Sequence, residues 1–383
     1  MWLTACHRRP MPIYPPSYHE YAYVTNSGSD TVSVINLETI QRESVLHVGV
    51  DPTGITANPA NNDLYAVNTG SNSVSVLDAV TQRVTWTIGV GSKPYFLAVS
   101  PDGKRGYVPN SGANTVSVLD LAAHRQIATV AAGEAPGEAR VTADNRTLVV
   151  ANRRSGSVSI YSIHADDSFH PLTLRSTFAG CAGATDIALR NDENSPKAFI
   201  ACSDSHQVMV VWLAVGPHVW AARQDAALAT DHLLTLLDVG QTPTHLAMKP
   251  DESEVFSTNF GSDSVSEISA WTNEVEGTYT VGRKPSQALF AQDNTSLWVT
   301  NFAADNVALY SADDSRVEGA IHTGDGPDAL ALSPRDQHLL LVANANSGDI
   351  AIIRTDVQPM PVLVTLLPSG ARPSAIAVKG FTN

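Results

Sequence analysis

Tyr23-Val-Thr-Asn-Ser-Gly-Ser-Asp-Thr-Val-Ser-Val-Ile35 stands near the start of the chain and returns as Tyr65–Leu77 and Tyr107–Leu119. Weaker copies follow around Asn152, Cys202, Asn259, Asn301 and Asn344, and in every copy a Val or Ile stands six places after that anchor residue. The anchors are spaced by 42, 42, 42, 50, 57, 42 and 43 residues. A period of this size marks a repeat architecture, in which no unit buries its apolar face alone and each stacks on its neighbours. The length of 383 residues would otherwise suggest two or three domains. The repeat argues instead for one closed unit, so any activity has to sit on a surface that the repeats build together.

One unit is read as four short strands. Val90-Gly-Ser-Lys-Pro94 is a turn, Phe96–Ser100 a strand, Pro101-Asp-Gly-Lys104 a hairpin turn and Gly106–Pro109 a second strand. Asn110–Asn114 turns again, Thr115–Leu119 is a third strand, and Gln126–Val130 is the fourth. Four antiparallel strands in about 42 residues is the size of a propeller blade. Gly-x-x-Pro turns end at Pro52, Pro94, Pro136, Pro243, Pro285, Pro327 and Pro373, with a degraded eighth at Cys181-Ala-Gly-Ala184. The first Asn motif has no such turn before it, and the last turn has no Asn motif after it. The simplest closure places Ala375–Lys379 beside Tyr21–Thr25, so that the first blade is built from both chain ends and leaves no open edge there. The expected fold is an all-β, eight-bladed propeller of four-stranded blades, with seven blades as the alternative.

The tetrapeptide Tyr23–Asn26, recurring with the Gly-x-x-Pro turn over about residues 20–383, resembles the YVTN family of β-propeller repeats. That resemblance implies a bacterial surface or periplasmic protein; it implies shape and location more than activity.

Composition narrows the partners. The 24 Lys and Arg against 38 Asp and Glu leave a net charge of −14, which lacks the basic footprint that binding to nucleic-acid phosphates requires. Charged residues make up 16% of the chain, below the roughly 25% of an average globular protein. Ser, Thr, Asn and Gly take up the surface instead, as in exported β-proteins with many tight turns.

Leu3-Thr4-Ala5-Cys6 resembles a bacterial lipobox, and residues 1–6 are read as the remnant of a lipoprotein signal with Cys6 as the lipidated residue. Residues 7–19, with Pro10, Pro12, Pro15 and Pro16, are read as an extended tether to a single propeller domain over 20–383. The expected location is outside the cytoplasm, anchored by lipid and facing the periplasm or the cell surface. No apolar run of about 18 residues occurs that would read as a membrane-spanning helix.

The turns before strand one and between strands two and three lie on one face of a blade, around the central channel. The second residue after each turn Pro is therefore expected at the channel mouth: Gly54, Phe96, Glu138, Asp186, His245, Gln287, Ala329 and Ala375. Glu138, Asp186, His245 and Gln287 are polar neighbours in this order, and Arg140 follows two residues after Glu138. They form either a site for a small polar ligand or cation, with two carboxylates and a His able to act as acid and base, or the polar lining that any water-filled channel tolerates. Phe260 and Phe302, each directly after an anchor Asn, form either a sticky patch for a protein or glycan or two rings folded over their own loops. Arg153 and Arg154 occupy the same loop in the fourth blade, as an anion contact or as solvated charge.

Cys202 replaces the anchor Asn, and Cys181 stands where the turn Gly of the same blade would be. Antiparallel strands bring both to one end, within reach of a disulfide that an oxidising compartment lets form; the alternative is two buried thiols. Two insertions break the period, near 162–179 and 215–237, and Trp220–Leu234 reads as helical. No Cys-x-x-Cys-His, His-Glu-x-x-His, P-loop or Gly-x-Ser-x-Gly occurs, and the twelve His residues show no metal-ligand spacing, so no cofactor and no metal are expected.

These readings lead to a non-catalytic binding or scaffold propeller, serving as an accessory subunit of a membrane or cell-envelope complex and binding protein subunits or glycan. One alternative is a lactonase-like hydrolase using Glu138, Arg140, Asp186 and His245, since sugar-lactone hydrolases resemble this fold. Another is a noncovalent haem or quinone-cofactor propeller, with His245 as the axial candidate.

Overall fold

In the computed structural model, which describes residues 15–216, 219, 223, 225–357 and 360–382, the chain forms eight four-stranded antiparallel sheets. Each sheet is one blade of a propeller, which decides for eight blades over seven. Tyr18–Asn26 pairs on one side with Thr31–Asn36 and on the other with the C-terminal strand Pro373–Thr382. Tyr21 faces Lys379 and Thr25 faces Ala375, so the first blade holds both ends of the described chain and closes the ring. Cys6 and residues 7–14 of the tether lie outside the described residues.

The core is a set of seams between blades. Tyr23, Val32 and Val34 of the first blade pack with Leu64, Ala66 and Leu77 of the second. Tyr107, Val116 and Val118 of the third pack with Leu148, Val150 and Tyr161 of the fourth. Strands in the middle of a blade are covered on both faces, which is why Thr147–Asn152 and Leu339–Asn344 are buried throughout. Outer strands alternate between exposed and half-buried residues, as in Val362–Pro368.

The anchor Asn has a physical role. Its amide Nδ2 donates to two side-chain oxygens five and seven residues on: Asn26 to Thr31 and Ser33, both at 3.1 Å, and Asn68 to Ser73 and Ser75 at 3.1 and 3.0 Å. Asn110, Asn152 and Asn259 repeat the pattern. All of these Asn are fully buried, so each bond answers the cost of hiding an amide and contributes about 1 kcal/mol net. The first turn glycine packs directly on this Asn. A Cβ at Gly91 would lie 2.5 Å from Asn110 Cγ, and one at Gly133 would lie 2.6 Å from Asn152 Cγ. Glycine is required there by close approach, whereas the positive φ of the turn falls on the residue before Pro, such as Lys93 (50°) and Ala135 (49°).

The fifth blade solves the same contact differently. Cys181, in the glycine's place, and Cys202, in the Asn's place, form a disulfide with a Cα–Cα distance of 4.8 Å. Gln207 and Met209 stand where five of the other blades supply hydroxyls, so an Asn at 202 would find no such pair of hydroxyl acceptors.

Every inner strand is irregular just after its turn: pairing shifts between Pro52 and Gly54, Pro136 and Ala139, Pro243 and His245, and at the matching points of the others. In the third blade this interruption is widest. Only Ala98–Val99 remains paired, beyond a lone bridge from Pro94 to Asn110, and the expected strand Phe96–Ser100 is shortened accordingly. Such bulges re-aim side chains.

Two boundaries differ from the sequence reading. Within 162–179, Leu172–Ala179 is the fourth strand of its blade, and within 215–237, His232–Asp238 is. The helix read over Trp220–Leu234 therefore stops short: among the described residues Val219 and Arg223 are helical, Ala226–Ala229 form a 3-10 turn, and Leu233 pairs with Val211. The leucines of His232-Leu-Leu-Thr-Leu-Leu-Asp238 mimic helical spacing, but ladder pairing with Gln207–Trp212 decides their conformation. Trp220, Ala221 and Ala222 lie outside the described residues.

Candidate active site at the channel mouth

All eight side chains two places after the turn position line one cavity of about 270 Å³: Gly54, Phe96, Glu138, Asp186, His245, Gln287, Ala329 and Ala375. The inner strands supply them, and the bulges aim them. Their chemistry divides the ring. Ala329, Ala375, Gly54 and Phe96 make one arc without ionisable groups. Glu138, Asp186, His245 and Gln287 make the other, with Arg140 reaching in beside Glu138.

Within the polar arc Arg140 is the hub. Its Nη2 lies 3.1 Å from Glu138 Oε1 and 3.7 Å from Asp186 Oδ1. Its guanidinium carbon sits 5.0 Å from the centre of the Phe96 ring, and its Nε donates a long 3.4 Å bond to the Ile187 carbonyl. Asp186 accepts backbone N–H bonds on both oxygens, from Ile187 and from Leu246 in the next blade, each at 2.8 Å. His245 Nε2 lies 3.6 Å from Asp186 Oδ2, and its Nδ1 accepts a long 3.4 Å contact from the Ala288 amide. Arg140, Asp186 and His245 thus each touch backbone of the following blade, which fixes their positions.

Environment separates the titrating groups. Burial pushes the Glu138 carboxyl up to about 8; Arg140 lowers it and Asp186 raises it, with burial prevailing. The Glu138 side chain is 8% exposed, and its Oε1, although within ion-pair distance of Arg140, has no partner in hydrogen-bond geometry. Burial opposes the charge of Arg140, but Glu138 and Asp186 outweigh it and hold the guanidinium's pKa above its ordinary value. Burial also lowers the His245 pKa, against the pull of Asp186. Near neutral pH the mouth therefore holds a protonated carboxyl, a neutral imidazole and a guanidinium, arranged as acid, base and cation.

Other sequence candidates lie outside this cavity. Phe260 and Phe302 are half-buried and pair with each other across a seam, ring centres 6.4 Å apart, with Lys284 Nζ 5.4 Å from the Phe260 ring. Arg153 and Arg154 are exposed on the rim. Larger hollows of about 480 and 510 Å³ open at the opposite strand ends. The first is lined by acids such as Asp293 and Glu318, and the second by Arg335 and Lys379, so neither joins acid, base and cation.

The sequence reading missed the ring directly above the mouth. Thr53, Thr244, Ser286 and Ser374, one place after the turn Pro, donate to carbonyls of the following blade: Thr53 to Tyr95 (3.1 Å), Thr244 to Ser286 (3.3 Å), Ser286 to Pro327 (3.2 Å) and Ser374 to Pro52 (2.9 Å). The recurrence of Thr and Ser in that column was the available signal. Tyr95 and Gly137 break it where the polar arc begins.

Fold and site together define a closed propeller with an ionisable cluster at its channel mouth. The family model described as "Lactonase, 7-bladed beta-propeller" matches residues 15–174 and, in a second overlapping register, 78–216. The chain belongs to this family, with eight blades where the family's description has seven. No curated protein matches the sequence. Among solved structures, the dihydro-haem d1 dehydrogenase NirN is similar over 96% of this chain and 76% of its own, with a TM-score of 0.74 and 15% identity. AztD from Citrobacter koseri gives 0.69 at 10% identity, over 96% of this chain and 99% of its own. A putative 6-phosphogluconolactonase from Bacteroides uniformis gives 0.63 at 14% identity, over 95% and 100%. At these identities the likenesses speak to the fold alone. Family membership corrects the expectation of a non-catalytic scaffold: the chain falls among propellers described as lactonases.

Proposed function

We propose that this protein is a hydrolase of small cyclic esters, working at the channel mouth. The observation that carries the reading is the separation of protonation states around Arg140. Glu138 is held protonated and His245 neutral within one cavity of a lactonase-family propeller. Hydrolysis of a lactone needs a base for the attacking water, a cation for the carbonyl oxygen as it becomes an oxyanion, and an acid for the departing ring oxygen. His245 gives up the long 3.4 Å contact from the Ala288 amide and takes the proton from water at Nδ1, and the imidazolium so formed is held through Nε2 by Asp186, 3.6 Å away. Arg140 receives the oxyanion. Glu138 gives its proton to the leaving alkoxide, which opens the ring and releases a hydroxy acid. With Glu138 protonated, the charges of Arg140 and Asp186 cancel, which suits an uncharged lactone of the size the 270 Å³ cavity admits.

A haem reading ranks second. The similar structure with a TM-score of 0.74 is described as a dihydro-haem d1 dehydrogenase, and His245 is the one imidazole in the cavity lining. To act as an axial ligand His245 would have to release the Ala288 amide or turn from Asp186, and a tetrapyrrole would have to widen the mouth. The recurring Tyr-Val-Thr-Asn strand end supports placing the chain in a YVTN-repeat branch. The buried disulfide supports work in an oxidising compartment.

The test is hydrolysis of a panel of five- and six-membered lactones by wild type and Arg140→Ala, with an absorbance spectrum of the protein purified from its native host. Lactone turnover lost in Arg140→Ala supports the hydrolase. A Soret band with no turnover of any lactone would replace it with the haem reading.

A further inference from the structure

We propose that the Cys181–Cys202 disulfide is a positioning element of the channel-mouth site: it substitutes for the Gly–Asn clamp of the other blades and so holds Asp186 against His245 and Arg140. This rests on the reading of that mouth as the working site. The inference begins with where the bond lies. In the regular blades the turn before the inner strand is held down by a glycine seated on the anchor Asn, whose amide is fixed by two hydroxyls. In the fifth blade all four partners differ together: Cys181 for Gly, Cys202 for Asn, and Gln207 and Met209 for the hydroxyl residues. Without the cystine this turn would have no clamp of either kind.

The turn leads straight into the site. Cys181 is followed by Ala182 and Gly183, and the inner strand Ala184–Arg190 then carries Asp186 as its third residue. Between Ala184 and Ile187 the ladder is interrupted, so Thr185 and Asp186 are not held by strand pairing. Ala184 pairs with Cys202 itself. The cystine therefore ties down the start of the unpaired stretch, and the Ile187 and Leu246 amides hold its end through the Asp186 carboxylate. Asp186 in turn stands within 3.6 Å of His245 and 3.7 Å of Arg140. Both cysteines are fully buried in the seam between the fourth and fifth blades, which makes the bond a permanent staple rather than an exposed, exchanging one.

The experiment compares wild type with two variants: Cys181→Ala/Cys202→Ala, which leaves no clamp, and Cys181→Gly/Cys202→Asn/Gln207→Ser/Met209→Ser, which installs the clamp of the regular blades. The first readout is the titration of the His245 ring by NMR, assigned by its absence in His245→Gln; the second is lactone turnover. In the clamp-free variant, loss of the nearby carboxylate is expected to lower the His245 pKa by about half a unit or more. The same variant is expected to lose about tenfold in kcat with KM little changed. The clamp-restored variant is expected to recover both. A folded clamp-free variant with an unchanged His245 titration overturns the proposal. If that variant does not fold, the restored variant decides: recovery of the wild-type titration supports the proposal, and a folded protein with a displaced titration overturns it. The NMR readout stands whether or not any lactone is turned over, so failure of the hydrolase reading and failure of this inference are told apart.

Discussion

The two arcs of the channel mouth share backbone geometry and differ in chemistry. Ala329, Ala375, Gly54 and Phe96 occupy the same bulged position as Glu138, Asp186, His245 and Gln287. In the first and second blades the mouth is tied by hydroxyls alone, bonding the next blade's carbonyls from Ser374 to Pro52 and from Thr53 to Tyr95. From the fourth to the seventh blade the site's own side chains add crossings, from Arg140 to Ile187, from Asp186 to Leu246 and from Ala288 to His245, beside the hydroxyl bonds of Thr244 and Ser286. One repeat thus supports a structural arc and a reactive arc, and in the reactive arc residues that carry the chemistry also staple the ring. Function and stability should fail together there and come apart elsewhere.

The largest expected effect is on turnover. Arg140→Ala should lower kcat/KM by about 10²–10³-fold, roughly 3–4 kcal/mol, as loss of an oxyanion donor does. Ala375→Ser on the opposite arc should change it by about twofold or less. Steady-state kinetics on both variants checks the contrast, and equal losses would dissolve the distinction between the arcs. Next, Asp186→Asn should lower both turnover and unfolding free energy, the latter by about 1–3 kcal/mol, because the Leu246 amide loses a charged acceptor. Denaturant melts would show it, and an unaltered midpoint would remove the stapling role.

Smaller and opposite in sign is the effect of Glu138 on stability. Its folded pKa of about 8 lies above the ordinary 4.5, so the folded state holds a proton that the unfolded state has lost. The stability this contributes is fully present below pH 4.5 and drains away as pH rises through 8. Glu138→Gln should therefore match wild type at pH 5 and be the more stable protein at pH 9 by thermal melting. The same sign holds at Glu267, where burial and then Glu254 and Glu276 push the carboxyl up to about 7. Glu267→Leu should stabilise the protein above pH 7, by about 1–2 kcal/mol.

Glu267 also shows how far the sequence could be read. Eight places after each anchor stand Val34, Val76, Val118, Ile160, Val210, Glu267, Leu309 and Ile352, a column whose exception is visible without coordinates. The columns two places after each Pro were legible for the same reason: a repeat makes equal positions equivalent in space. The ring closure at Tyr21–Thr25 and the pairing of Cys181 with Cys202 followed from counting motifs. What counting could not supply was contact. The Asn amide's bonds to two side-chain oxygens and the close approach of Gly91 to Asn110 depend on strands that meet only after folding. The insertion around 215–237 had no sister copies to compare, and the helix was carried too far, into the strand His232–Asp238.

The most direct test of the account is the pH dependence of kcat/KM for glucono-δ-lactone hydrolysis, corrected for the uncatalysed reaction, in wild type and Glu138→Gln. The expected wild-type profile is a bell, falling on the acid side as His245 protonates below its ordinary range and on the alkaline side near pH 8 as Glu138 loses its proton. Glu138→Gln should lose about 10²-fold at the maximum and show no alkaline limb. A variant that keeps both the wild-type rate and the limb near pH 8 would contradict the assignment of Glu138 as the acid and, with it, the reading of the polar arc as the reactive one.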